Sequence, residues 1–136
     1  MDSISVGLRS NDVILRTSRS LRTGGTPEES LQIARAVSAG VSAIVRAIVS
    51  DVRPRFVIAK GGITSNDTAS EGLEIRRGTI RGPLLHGLVS LWQSAAGLAQ
   101  GIPYVVFPGN VGDDDSLAQV VATLSATPTA VPTING

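Results

Sequence analysis

Phe56-Val57-Ile58-Ala59-Lys60-Gly61-Gly62-Ile63-Thr64-Ser65 is an apolar run that breaks into a glycine pair. An unbroken run of this length, rich in β-branched residues, reads as a strand covered on both faces. Glycine permits φ > 0 and lets the backbone approach a ligand closely. A glycine turn that leaves a strand and opens a helix aims free N–H groups outward, an arrangement that suits phosphate. The same pattern recurs downstream. Pro103-Tyr104-Val105-Val106-Phe107 is followed by Pro108-Gly109-Asn110-Val111-Gly112-Asp113. Both turns would lie at carboxyl ends of strands, where open α/β sheets bind ligands. The reading is an α/β domain in three layers, with a mixed, partly parallel sheet and helices on both faces, holding one nucleotide between the two turns.

The elements around these turns are expected as follows. Asp12–Thr17 reads as a short strand and Ser18–Gly25 as a polar loop. Thr26 is placed to N-cap a helix, with Pro27 at its first position and Glu29 completing a capping box. Ala34, Val37, Val41, Ile44 and Ile48 form an apolar stripe to about Ser50, with Gly40 placed for close packing on a sheet. A strand, long helix and strand in that order predict a right-handed crossover and a parallel pair. Thr64–Glu74 is expected to be a short helix capped by Thr64 or Ser65. Arg76-Arg77-Gly78 is a turn or bulge, Gly82-Pro83 a break, and Leu88–Trp92 a strand. One of Asp113, Asp114 and Asp115 caps a last helix through Leu124. Residues 1–126 form one domain, and Thr127–Gly136 a loose tail.

Composition excludes several classes of function. A net charge of +1 over 136 residues is not a nucleic-acid surface. With no cysteine, disulfides, thiolate metal sites and cysteine nucleophiles are ruled out. The N-terminus lacks the basic start and long apolar stretch of a signal peptide. No charged residue lies between Gly82 and Gly112, but prolines and glycines interrupt that stretch, so it reads as strand, turn and strand rather than a membrane span. These traits fit a cytoplasmic protein. Neither a Walker A pattern nor a G-x-G-x-x-G is present, and His86 has no partner histidine for a metal site. His86, Trp92 and the arginines Arg76, Arg77 and Arg81 read as structural or solvated. Asn66 and Asp67 read equally as helix caps or as polar ligands. At the first turn, the N–H groups of Gly62, Ile63 and Thr64 would meet phosphate oxygens. The Thr64 and Ser65 hydroxyls and Lys60 are possible additions.

Gly61-Gly62-Ile63-Thr64-Ser65, Arg81-Gly82-Pro83 and Pro108-Gly109-Asn110-Val111-Gly112-Asp113, in that order, resemble the carboxyl-terminal nucleotide-binding domain of the four-carbon acid sugar kinases. The resemblance spans roughly Asp12 to Leu124. It implies ATP, with Mg²⁺, held by Gly61, Gly62, Ile63, Thr64 and Gly109. It implies phosphorylation of a small sugar acid bound by an amino-terminal domain outside this sequence, without which the chain is expected to be inactive. Phe107-Pro108 stands where the family has Lys-Ser, Val111 where it has an aromatic, and Arg81 where it has proline. The sequence also admits a non-catalytic α/β interaction module whose glycine turns are structural. In either case the apolar stretch from Leu84 to Phe107 is a candidate domain or subunit interface, and homo-oligomerisation is open.

Overall fold

The computed structural model describes residues 2–17, 24–83, 90–108 and 112–126. His86, Gly109 to Val111, the first residues of the expected strand at Leu88 and the 127–136 tail lie outside them. The chain runs α1 (Asp2–Leu8), α2 (Pro27–Asp51), β1 (Val57–Lys60), α3 (Gly62–Asp67) and a π-helical segment (Thr68–Gly72). It continues through β2 (Gly78–Pro83), β3 (Ser90–Ser94), β4 (Pro103–Phe107) and α4 (Ser116–Ala126).

The four strands form one sheet in the order β1-β4-β3-β2. β1 and β4 are parallel, with Val57 opposite Tyr104 and Lys60 opposite Phe107. β4 and β3 are antiparallel, as are β3 and β2. The sheet is therefore mixed, as expected. Side chains alternate across it. Val57, Ala59, Tyr104, Val106 and Trp92 face a cluster that includes Val45 and Val49 of α2. Ile58, Leu91, Val105 and Phe107 face Leu117, Val120 and Leu124 of α4. Those three α4 residues recur at helical spacing, one stripe against one sheet face. Two helical layers thus enclose the sheet.

α2 begins where its residue types dictate. The Glu29 N–H donates to Thr26 Oγ1 at 3.2 Å, and Pro27 sits in the first turn. The reciprocal arm of the capping box lands one residue early, with the Gly25 N–H donating to Glu29 Oε2 at 2.6 Å. The apolar stripe is only partly used. Ile48 and Val49 are buried, but Val37 is 47% exposed and Leu31 51%. α2 meets the sheet and the π segment with its carboxyl-terminal half and projects beyond them with the other. Among the described residues nothing lies within 4 Å of a Cβ built on Gly40, so this glycine serves no close packing on them.

Several expectations are corrected. Asp12–Thr17 forms no strand: Ile14 is 80% exposed, and among the described residues β1 pairs only with β4. A strand needs a ladder partner, and this segment has none among the described residues. The parallel pair consequently joins β1 to β4 rather than the 12–17 segment to β1. Residues 2–8, unassigned by pattern, form α1, which lies against α2. The helix after the glycine pair starts at Gly62, with Gly61 rather than Thr64 or Ser65 as its cap. It relaxes into the π segment, which ends through Leu73 N–H to Thr68 O at 2.8 Å and Ile75 N–H to Ala69 O at 2.8 Å. Glu74 follows at φ 55, and its carboxylate pairs with Arg46 of α2. Arg76 and Arg77 bend the chain directly before β2, the turn alternative, while a register irregularity falls between Ile80 and Gly82; Gly82 and Pro83 continue β2 rather than break it.

Candidate phosphate site at the ends of two parallel strands

Because β1 and β4 run parallel and adjacent, their carboxyl ends open on the same edge of the sheet. Lys60 is opposite Phe107. One residue on, the Gly61 N–H donates to Phe107 O at 3.0 Å, extending the ladder into the corner itself. Gly61 has φ 105 and ψ 148, a conformation that only glycine adopts without strain. The chain then turns into α3, and the first intrahelical bond runs from the Ser65 N–H to Gly61 O at 3.0 Å. The amides of Gly62, Ile63 and Thr64 are the leading N–H groups of that turn and have no acceptor within it. Gly61 itself spends its N–H on β4, so it shapes the corner rather than donating from it.

The corner is fastened from below. Ser65 is buried, and its Oγ–H donates to Ala59 O at 3.1 Å. That turns the hydroxyl inward, away from any phosphate or metal-bound water. Tyr104, the single tyrosine, is buried in β4 beneath the same turn and donates its hydroxyl to Ser65 O. Burial pushes its ionisation well above the usual value of 10.0, and the hydrogen bond to Ser65 only partly opposes this. Sequence reasoning did not find Tyr104. The available signal was a lone hydroxyl-bearing aromatic in an aliphatic strand, which must find a partner once buried. Thr64 is exposed at the rim of the turn, with its Oγ1 4.0 Å from a Cβ built on Gly61.

Asp67 and Asn66 separate in role. Asp67 accepts from Ser38 Oγ–H of α2, and the Asp67 carbonyl accepts from Ser42 Oγ–H at 3.3 Å. Asp67 is thus a tie between helices, while Asn66 is exposed beside it. Trp92 packs in the α2-side core, its Nε1–H buried without a partner among the described residues. Arg81 donates through Nε to Gln93 Oε1 at 3.0 Å across the bulge, far in the sheet order from β1.

The second turn begins with Pro108, and its glycine at position 109 lies outside the described residues. Beyond it, Gly112 has φ 82. Asp113 stitches the entry to α4. Its N–H donates to Ser116 Oγ at 2.8 Å, and its Oδ1 accepts from the Asp115 N–H and the Ser116 hydroxyl at 3.0 Å each. Those donors hold its carboxyl below the usual 3.8, the Asp115 amide most of all. Of the three aspartates, Asp113 therefore ties down the helix entry.

A search of curated proteins returns no match. Among solved structures, the chain is similar to a domain of unknown function from Bordetella bronchiseptica, described as a domain-swapped dimer with bound citrate. The TM-score is 0.57 at 22% identity, over 65% of this chain and 22% of that one. The likeness is one of fold, and the chain spans about a fifth of that neighbour's length. The family model described as the nucleotide-binding C-terminal domain matches residues 2–117, a span containing both strand ends and the start of α4. The chain therefore belongs to the nucleotide-binding C-terminal domain family.

Proposed function

We propose that this nucleotide-binding domain takes ATP, and that it serves as the ATP-holding part of a kinase for a small four-carbon sugar acid. The observation that carries the reading is the bond from Gly61 N–H to Phe107 O. It brings the first glycine corner against the start of the second, so one polyphosphate can be met from both. Gly62, Ile63 and Thr64 donate from the first turn and Gly109 from the second. Phosphoryl transfer asks a protein mainly for positioning and charge stabilisation, which two domains can share. The acid and the general base belong to sequence outside this chain. Among the described residues no cluster of three or more His, Asp or Glu could hold a metal. Mg²⁺ accordingly arrives on the nucleotide with its own waters, as this reluctantly dehydrated ion commonly does. Self-association is part of the same reading, and the Bordetella neighbour is a domain-swapped dimer.

Amide NMR during titration with Mg-ATP tests the nucleotide. Selective, saturable shifts at Gly62–Thr64 and at Gly109–Gly112 are expected. Silence at millimolar ATP overturns the reading and leaves an interaction module. Turnover of erythronate or threonate by the isolated 136-residue chain would contradict the assignment of the acid site to another domain.

A further inference from the structure

Lys60 is the single lysine of this chain; every other cationic side chain of the Lys/Arg class is arginine. It occupies the last position of β1, immediately before the Gly61 corner, with its side chain exposed. Strand alternation places it on the α4 side of the sheet, level with Phe107. Its ammonium stands 5.1 Å from the centroid of the Phe107 ring. The ring is buried at the end of β4, so it is a fixed platform. Among the described residues, Lys60 has no carboxylate within ion-pair distance. The Asp113 carboxylate is engaged instead with the Asp115 N–H and the Ser116 hydroxyl. A cation is thus held over an aromatic face at the edge where two parallel strands end, with its charge left uncompensated.

We propose that Lys60 is the cation that binds the nucleotide's polyphosphate, its ammonium steadied over Phe107 at the strand end that leads into the Gly61 corner. This rests on the nucleotide reading above and adds to it the residue that supplies the charge. A lysine suits the task as a compact point charge for phosphate oxygens. Phe107 leaves β4 without a cation of its own at this level, and Lys60 supplies one from the neighbouring strand at the paired position.

The uniqueness of Lys60 makes the test direct. Reductive methylation with ¹³C-formaldehyde retains the charge and gives one side-chain dimethylamine signal besides that of the amino terminus. Titration with Mg-ATP is expected to move that signal, saturating together with the amides of Gly62–Thr64, while adenosine leaves it in place. In parallel, Lys60→Met should weaken Mg-ATP by about tenfold with adenosine affinity unchanged, and Lys60→Arg should recover most of the loss. If the amides respond to Mg-ATP but the Lys60 signal stays fixed, or Lys60→Met binds as the wild type does, the role of Lys60 is refuted and nucleotide binding stands. If neither the amides nor the Lys60 signal respond, both are refuted. The labelling arm uses the wild-type side chain, so the outcome does not depend on a variant folding.

Discussion

At the scale of single residues, two glycines with positive φ do different work. A Cβ on Gly112 would lie 2.6 Å from Ser116 Oγ and 2.7 Å from Ser116 Cβ, with Phe107 Cζ at 3.4 Å. Among the described residues a Cβ on Gly61 would meet nothing nearer than Thr64 Oγ1 at 4.0 Å. Gly61→Ala therefore carries backbone strain alone, on the order of 1–2 kcal/mol, whereas Gly112→Ala adds a collision and should cost roughly 3 kcal/mol or more. Urea melts of the two variants should rank in that order; equal losses would mean that Ser116 moves aside freely. Tyr104 supplies a second test. Tyr104→Phe removes the bond to Ser65 O, which still accepts from the Thr68 N–H, so the loss should be about 1 kcal/mol. The buried phenol also sets an alkaline limit. Its ionisation is raised in the fold above the unfolded value near 10.0, so its contribution is full below that pH and is lost as pH rises through the folded value. Tyrosinate absorbance should therefore appear together with unfolding, and its appearance in a still-folded protein would contradict the burial of this side chain.

Among elements, the joint between α2 and the helix that leaves the first glycine corner decides how firmly the site is held. Ser38 and Ser42 of α2 bond Asp67, and a Cβ on Gly72 would stand 3.3 Å from Ser42 O, so the two backbones pass close together. Asp67→Ala should lower stability by about 1–2 kcal/mol while leaving Mg-ATP affinity within about twofold. A large affinity loss at unchanged stability would make Asp67 a ligand instead. The same joint shows what pattern can and cannot disclose. β1, β4 and the start of α2 were legible because local chemistry decides them: an apolar run, a proline-bounded run, a threonine followed by Pro27 and Glu29. The lapse of α3 into a π segment was not legible, because it follows from the tertiary grip of α2 on Asp67 and Gly72. The 12–17 segment carries the β-branched residues of a strand, yet strand propensity is realised only beside a partner. At the site, the placing of the first turn at the carboxyl end of a strand was legible in the sequence, and β1 and β4 end on the same edge of the sheet. The inward turn of the Ser65 hydroxyl, the hold of Tyr104 and the commitment of the Gly61 N–H to Phe107 were not, because each depends on which strand neighbours which.

Over the whole molecule, the apolar surface is unevenly spent. One core lies between the carboxyl-terminal half of α2 and the sheet, the other between the sheet and α4. The amino-terminal half of α2 meets neither, and Leu31 and Val37 remain about half exposed along it. α2 is also the one helix among the described residues long and apolar enough to cross a membrane by length and composition, though its last turns are packed on the sheet. Half-exposed leucine and valine on one projecting helix form an apolar surface of the kind that drives association in water. The purified chain should accordingly self-associate as its concentration rises. The double substitution Leu31→Glu with Val37→Gln should suppress this, measured by light scattering on a sizing column. Neither side chain lies in the two cores, so the melting free energy should change by no more than about 0.5 kcal/mol. The carboxylate introduced by Leu31→Glu would also stand one turn before Arg35, a favourable pairing on a helix. A wild-type chain that stays monomeric at every concentration would show that this half of α2 is adequately solvated. A variant that loses stability by several kcal/mol would show that the half-helix is packed more closely than its exposure indicates.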